Sequence, residues 1–403
     1  MDEATARWLV SAEAAPYRER ARTLADPSAL GTAAAWRRDL DPDRAAAVLT
    51  LEALRRRGTA KLGDLAAGLW WTPDGLEQAT RWSVATWRAR ALVRLGVTGV
   101  VDLGCGLGVD ALAAQRAGLA VVAFERDPVT AILAAANLGL VEVRCADAET
   151  ADLAPWSADP HTALFLDPGR RTARGRSWRV EDLSPSWAYV QSLLSRAPVV
   201  VKLAPGFPYD RLPAGADVTW VSDGGDLVET TVWAAPGATG RRQAVVLTDG
   251  EERLDAGPVP PTGESGRYVY EPDPAVIRAR AVGTLAGHLG ARGVAPSIPY
   301  LTGDALVETP FATAYEVDEV LDWSPRVLRA WARDHGIGTL EIKTRGLDID
   351  PARLRPGLHL AGRTAATVIL TPTARGARTL VVRRTAPPVP SQSRVSTFGA
   401  KQD

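Results

Sequence analysis

The sequence predicts an α/β protein, a doubly wound parallel sheet preceded by a helical N-terminal domain and followed by a smaller α+β region. Three observations carry this. From Val100, short β-branched runs alternate with helical stretches (VVDLG, VDALAAQRAG, AVVAFE, PVTAILAAANLG, VEVRCAD, TALFLDP, VVVKLAP), the pattern of parallel strands joined by crossover helices. The first hundred residues are rich in Ala, Arg, Leu and Trp at helical spacing. After Pro236-Gly237, Gly/Pro clusters such as GPVPPTGESG loosen the chain before helix and strand resume. At 403 residues the chain is long enough for two or three domains, and 46% apolar with 23% charged residues is the balance of a chain that buries a large core.

In chain order, residues 1–97 are expected to be helical. In DPDRAAAVLTLEALRRRG, Asp41 can cap, and Pro42 suits the first turn, where no N–H donor is required. A second start lies at Thr72-Pro73-Asp74, ahead of GLEQATRWSVATWRARAL, whose Leu76, Val84 and Trp87 fall toward one side. Residues 98–237 hold five strands at βα spacing. WVSDGGDLVETTVWAA then reads as a hairpin around Gly224-Gly225 that closes the sheet's edge. A boundary is placed near residue 238. Beyond it EPDPAVIRARAVGTLAGHLG reads as one helix and SPRVLRAWARDHG as another, with LEIKTRG, TAATVILTPT and TLVVRRT as strands. The Pro/Ser-rich segment 386–403 reads as a disordered tail.

Basic and acidic residues balance at 47 each, so no global field exists to hold nucleic acid or an anionic membrane, and such binding must come from a local patch. Two cysteines (Cys105, Cys145) and four scattered histidines form no CxxC, HExxH or disulfide pattern, which predicts a reducing cytoplasm and no metal. The acidic N-terminus leads into no apolar h-region, and no stretch has the uninterrupted apolar length of a membrane span, so neither export nor insertion is expected.

The chemistry concentrates at strand ends. Asp102 precedes Gly104, Gly106 and Gly108, which stand between a strand and a helix, where glycine lets the backbone turn tightly and approach a ligand. A dinucleotide G-x-G-x-x-G loop would need glycine at 109, where Val stands. Taken alone, the loop is also compatible with an ordinary strand-to-helix connection. Glu125 ends the second strand about twenty residues on, placed to accept hydrogen bonds from both ribose hydroxyls. Asp147 ends the third, beside the same crevice and suited to an adenine amino group, and Asp167-Pro168 ends the fourth. In a parallel sheet these carboxyl ends share one edge, and ligands bind where the strand order switches. Each acidic residue singly also reads as a solvated cap or turn, Asp147 most readily and Glu125 least.

Together these strings resemble the class I S-adenosylmethionine (SAM)-dependent methyltransferases that carry a C-terminal THUMP-like domain. The likeness spans nearly the whole chain, through GLEQATRWSVATWRA, DLGCGLGVD, FERDP, FLDPGRR, VKLAPG, WVSDGGDLVETTVW, YVYEPDPAVIRA and EIKTRG. It implies a seven-stranded methyltransferase sheet over 98–237, a ferredoxin-like α+β region over 238–320 and a THUMP-like domain over 321–385. It implies SAM as cofactor, held by Asp102, Gly104, Gly106 and Gly108, by Glu125 and Arg126, and by Asp147 and Ala148. Gln78 and Thr80 are candidates for its methionine part, with helix packing as the competing use. THUMP domains bind RNA, which makes RNA the implied partner.

Methyl transfer from a sulfonium needs in-line approach of the nucleophile and little else, so positioning is the main lever. If the nucleophile is an exocyclic nitrogen, Asp167 can accept its N–H and aim the lone pair at the methyl carbon. Enzymes that methylate nucleic-acid amino groups usually continue with Pro-Pro-aromatic. Here Pro168-Gly169-Arg170-Arg171 follows, which leaves ribose, carbon and non-RNA acceptors open. RRTARGRSWR carries Arg170, Arg171, Arg174, Arg176 and Arg179 with Trp178, suited to phosphates and a stacked base, an Arg-rich surface loop being the alternative. Lys202, ending the fifth strand, is a further anion contact or a capped strand end, and Lys343-Thr344-Arg345 is expected to share the RNA. Cys105 reads as a buried thiol and Trp70, Trp71, Trp82 and Trp87 as core. Tyr268 and Tyr270 receive no assignment. The expected activity is SAM-dependent RNA methylation. Its rivals are methylation of a small molecule or protein, a non-catalytic SAM- or RNA-binding module and, disfavoured by Val109, a nicotinamide oxidoreductase.

Overall fold

A computed structural model describes residues 1–170, 180–195 and 198–385, which fall into two units, Met1–Glu251 and the chain from Glu252 onward. The first unit opens with helices α1 (Glu3–Val10), α2 (Ala15–Arg22), α3 (Leu30–Trp36), α4 (Pro42–Leu62), α5 (Pro73–Gln78) and α6 (Trp82–Arg94). Side-chain caps set several of their starts. Asp2 accepts from the Thr5 amide at 2.8 Å, Asp41 from the amides of Asp43 and Arg44 at 3.1 and 3.0 Å, and Thr72 from that of Gly75 at 3.1 Å. Each cap contributes about 1 kcal/mol. Leu9 of α1 and Val48, Leu51 and Leu54 of α4 share one core with Leu107, Val109 and Leu133, so the helical region packs on the sheet's helices and does not stand apart.

Then come β1 (Gly99–Leu103), α7 (Val109–Arg116), β2 (Ala120–Glu125), α8 (Pro128–Leu138), β3 (Glu142–Cys145), α9 (Ala154–Ser157), β4 (Thr162–Leu166), the short β5 (Gly169–Arg170) and β6 (Leu183–Ser184), α10 (Trp187–Leu193), β7 (Val199–Leu203), β8 (Asp217–Asp223), β9 (Asp226–Ala234), β10 (Arg242–Leu247) and β11 (Glu251–Asp255). The main sheet has the order β11-β10-β8-β9-β7-β4-β1-β2-β3. From β3 to β7 it is parallel, and β1 lies between β2 and β4, so the order reverses at β1/β4 and opens a crevice at their carboxyl ends. All five residues of β1 and of β4 are buried, as expected for central strands covered on both faces.

The hairpin around Gly224-Gly225 does not close the edge. β9 inserts antiparallel to β7, and β10 runs parallel to β8 beyond it. The boundary expected near 238 therefore falls in the turn leading to β10. Gly237 and Gly240, at φ 87° and 79°, give that turn the composition of a linker although RQAVVL after it is a buried strand.

In the second unit, β12 (Tyr268–Pro272), β13 (Arg292–Gly293), β14 (Leu301–Gly303), β15 (Ala312–Asp322), β16 (Ile337–Thr344), β17 (Thr364–Thr373) and β18 (Gly376–Arg384) form one sheet of order β13-β14-β12-β15-β18-β17-β16. The expected helix over 271–290 is two, α11 (Pro274–Arg278) and α12 (Val282–Leu289), because Arg280 takes a left-handed φ of 58° and breaks the ladder. β15 is a single strand pairing with β12 on one side and β18 on the other, so the division expected at 320/321 falls inside it. One face of the sheet packs Ile342, Val368 and Leu370 against Leu328 and Trp331 of α13 (Pro325–Asp334). The other packs Val269, Tyr315, Ile369 and Leu380 with Val294 and Tyr300. A short α14 (Pro351–Leu354) leads toward β17. No helix among the described residues is long and apolar enough to cross a membrane.

Candidate active site

Past β1 the chain turns through Gly104, Gly106 and Gly108 at φ 111°, 55° and 82°, which L side chains rarely adopt. The turn is tied to β2, because the Gly104 and Cys105 amides donate to the Phe124 carbonyl at 3.0 and 2.9 Å. Glu125 braces it from the same strand end. Its Oε2 accepts from the Gly106 amide at 3.0 Å and its Oε1 from the Asp127 amide at 2.9 Å. A Cβ built on Gly104 or Gly106 would meet no atom within 4 Å, so an open backbone surface lies beside this carboxylate. Each Glu125 oxygen retains lone-pair capacity for a further donor, as two vicinal hydroxyls require. Burial raises the Glu125 pKa above the usual glutamate value, against the pull of the Asp127 and Gly106 amides.

Arg126 and Asp147 are exposed, and Asp147 Oδ1 accepts from the Glu149 amide at 2.9 Å in a local turn. Ala148 is buried, its carbonyl accepting from the Tyr189 hydroxyl at 2.6 Å. Cys105 lies between the glycines with its thiol pKa raised well above the ordinary value by burial, which keeps it an uncharged space-filler.

A connected line of charges runs under the carboxyl ends of β4 and β7 and the amino-terminal half of the antiparallel β9. Lys202 of β7 donates to Asp167 Oδ2 at 2.5 Å and to Thr80 Oγ1 at 2.8 Å. Thr80 donates to Asp110 Oδ2 at 2.6 Å, and Asp110 Oδ1 accepts from Arg88. Arg88 also donates to Glu229 Oε2 at 2.5 Å, and Thr231 donates to Glu229 Oε1 at 2.7 Å. The Arg88 and Glu229 side chains are 3% and 1% exposed. Burial alone would lower the Arg88 and Lys202 pKa values, but Glu229 and Asp110 around Arg88, and Asp167 and Asp110 around Lys202, hold both above their ordinary values. Burial likewise opposes ionisation of Asp110, yet Arg88 and Lys202 bring its pKa below the usual range.

Thr80, Lys202 and Asp167 therefore meet, with Pro168 buried beside them, whereas Gln78 is exposed on α5. Asp102 borders residues of α6 and α7. Its carboxylate, 1% exposed, has neither oxygen hydrogen-bonded and borders a void of about 10 Å³ shared with Arg88, Asp110 and Phe165. Burial first, then the Asp110 and Asp167 charges, raises its pKa well above the carboxylate range.

Sequence reasoning missed Arg88, Asp110, Glu229 and Lys61. Lys61 donates to the carbonyls of Leu76 at 2.9 Å, of Ala79 at 3.4 Å and also of Glu77, fixing the segment that delivers Thr80. The available signal was Arg88 itself, four residues after Val84 and four before Leu92 on the buried side of α6. Trp71 and Trp87 are core, while Trp70 is half-buried with the Arg18 and Arg55 guanidinium groups 5.0 and 5.3 Å from its ring centroid. Trp82 is half-buried as well. Arg170 contributes its backbone to the β5–β6 pair. Arg171, Arg174, Arg176, Trp178 and Arg179 lie outside the described residues, as does the segment 386–403. Lys343 is taken up by Glu271, at 2.9 Å from its Oε2.

Residues 312–384 match the family described as THUMP domain-like. Two S-adenosylmethionine-dependent methyltransferases of Mycobacterium tuberculosis, from strains CDC 1551/Oshkosh and ATCC 25618/H37Rv, are 33% identical to the chain over 344 residues, 82% of this chain and 93% of each relative. A crystal structure from Porphyromonas gingivalis W83 that carries the name methyltransferase shares the fold at TM-score 0.70 and 22% identity, covering 95% of this chain and 98% of that one.

Proposed function

The chain belongs to the S-adenosylmethionine-dependent methyltransferases, and from that premise we propose that it methylates RNA, with Asp167 orienting the acceptor. The cofactor is SAM, which when bound supplies an activated methyl group whose departure leaves a neutral thioether. The residues at the sheet edge fit it. The Gly104–Gly106 backbone is open where a ligand would lie, and Glu125 keeps acceptor capacity for ribose hydroxyls beside it. In this reading Asp147 and Ala148 flank the adenine, and Thr80 stands toward the methionine part.

The observation that carries the acceptor assignment is the Lys202–Asp167 contact at the end of β4. Lys202 occupies Oδ2 and is itself fixed by Thr80, so the carboxylate has a set direction and Oδ1 stays available to accept an N–H or O–H of the acceptor. RNA is supported by the THUMP-like match and by local charge. Residues 312–384 hold twelve Lys and Arg against eight Asp and Glu, while the whole chain balances.

The test is transfer of radiolabelled methyl from SAM to size-fractionated RNA of a strain lacking the protein. The wild type labels an RNA fraction. Asp167→Ala binds SAM within a few-fold of wild type and transfers methyl about a hundredfold more slowly or worse. Label appearing only in protein or small molecules would remove RNA as substrate, and full activity of Asp167→Ala would remove the residue from its role.

A further inference from the structure

We infer that the outward face of α13, together with His335 at its C-terminal end, is an RNA-gripping surface that holds phosphates and stacks one base; this rests on the RNA reading above. α13 has two distinct sides. Leu328, Trp331 and Ala332 are buried against the sheet, whereas Arg326, Arg329 and Arg333 are exposed at positions i, i+3 and i+7. At 100° per residue those three lie within about 60° of arc, one stripe along the helix. Arg333 is held by Asp334 at 2.9 Å, but among the described residues Arg326 and Arg329 form no ion pair. Exposed guanidinium groups without a counter-charge are the ones that gain from displacing counterions off a polyanion.

The stripe ends at a flat ring. The His335 side chain, 49% exposed, stacks on Trp331 at a centroid distance of 4.8 Å and an interplanar angle of 26°. Its Nδ1 is 2.9 Å from the Trp331 carbonyl, and Nε2 is 3.6 Å from Glu319. The imidazole is therefore backed by an indole and tied through Nδ1 to the Trp331 carbonyl, a held platform for an unpaired base. The sequence had pointed to Lys343-Thr344-Arg345 instead. Lys343 is neutralised there by Glu271, on which the Tyr300 and Tyr315 hydroxyls also converge at 3.3 and 3.1 Å.

Charge complementarity selects an anionic partner, and the buried apolar face of α13 selects a nucleic-acid backbone over a lipid surface. An interfacial helix needs an apolar face free to insert, and that of α13 is spent on its own sheet, leaving Val327 as its one exposed large apolar side chain.

The experiment is fluorescence anisotropy of labelled poly(U) and of bulk bacterial tRNA with the full chain over a salt series. The proteins are wild type, Arg326→Ala/Arg329→Ala, His335→Ala and, as a control on α1, Arg7→Ala. Each phosphate contact on a single strand contributes about 0.7 to the slope of log affinity against log salt, so the double variant flattens the poly(U) slope by about 1.4. His335→Ala weakens poly(U) binding about tenfold without changing the slope. Arg7→Ala changes neither, and SAM calorimetry matches wild type in all variants. Salt-dependent RNA binding by the wild type with an unchanged slope in the double variant overturns the surface and leaves the RNA reading standing. Absence of RNA binding by the wild type overturns both. Binding to phosphatidylserine vesicles that is lost in the double variant, with RNA binding intact, makes the stripe a membrane contact and overturns the inference.

Discussion

Replacing Glu125 separates the two tasks its carboxylate performs, bracing the glycine turn and receiving the ribose. In the folded protein its two oxygens accept from the amides of Gly106 and Asp127. Glu125→Gln preserves shape, but its single amide oxygen serves only one of these donors and its NH₂ confronts the other. One charge-assisted bond of about 1.5–3 kcal/mol is lost, and at about 1.4 kcal/mol per decade SAM affinity drops roughly tenfold. Glu125→Ala removes both braces and both ribose acceptors, and affinity drops roughly a hundredfold. The pH dependence has a definite sign. Burial raises the Glu125 pKa, so acidification protonates it earlier than an exposed glutamate, and a protonated oxygen no longer accepts. Wild-type affinity therefore falls as pH is lowered through that raised pKa, while the Gln variant stays flatter. Isothermal calorimetry with SAM and S-adenosylhomocysteine at several pH values measures all of this. A folded Glu125→Ala protein that binds within about twofold of wild type would refute the reasoning, and so would an equal pH slope in Glu125→Gln.

Two further predictions concern the charges beneath the site. Arg88→Met leaves Glu229 buried without its ion-pair partner and Asp110 with Lys202 as its remaining counter-charge, and costs about 3–5 kcal/mol in denaturant unfolding followed by tryptophan fluorescence. Adding Glu229→Gln recovers part of it, and a loss below about 1 kcal/mol would contradict the network. For Asp102 the folded pKa lies above the unfolded one, so its contribution is favourable in acid and is lost as pH rises through the folded value. Asp102→Asn mimics the protonated form, so its melting temperature gains on wild type from acidic to neutral pH. A pH-independent difference between the two proteins would show that Asp102 does not titrate in this range.

What was legible in the chain was what is encoded locally. Asp41-Pro42 and Thr72-Pro73 start helices because a cap needs only its own neighbours, and both do so. That β1 to β4 are parallel, with acidic residues at one shared edge, follows from the alternation of strands and crossover helices. Contacts between distant segments were not legible. Arg88 finds Glu229 a full 141 residues away, and Lys343 finds Glu271 at 72. The insertion of β9 beside β7 is a choice among pairings that a Gly-Gly turn leaves open. β15 escaped notice because TAYEVDEVLD lacks an apolar run, although its pairing on both sides makes it a central strand.

The same distinction governs how an arginine-rich composition should be read. Only four of the 47 basic residues are lysine, and many of the arginines work inside the fold as hydrogen-bond donors. Arg18 donates to the carbonyls of Leu9 and Ser11, both at 2.8 Å, at the end of α1. Arg56 donates to those of Leu24 and Ala25 at 2.6 and 2.8 Å past the end of α2. Arg242 donates to the carbonyl of Ala216 at 2.7 Å, and Arg55 to that of Leu69 at 3.0 Å. Burial, helped by the Arg22 charge, brings the Arg55 pKa to about 10, the opposite of what an acidic partner would do. A guanidinium presents five donors in a plane and satisfies such chain ends where an ammonium offers only a point charge, so the donors at these positions are spent on the fold and are not free to grip a phosphate. The charge available to a polyanion is consequently not the number of arginines but the few whose donors remain exposed and unpaired, and on α13 those are Arg326 and Arg329.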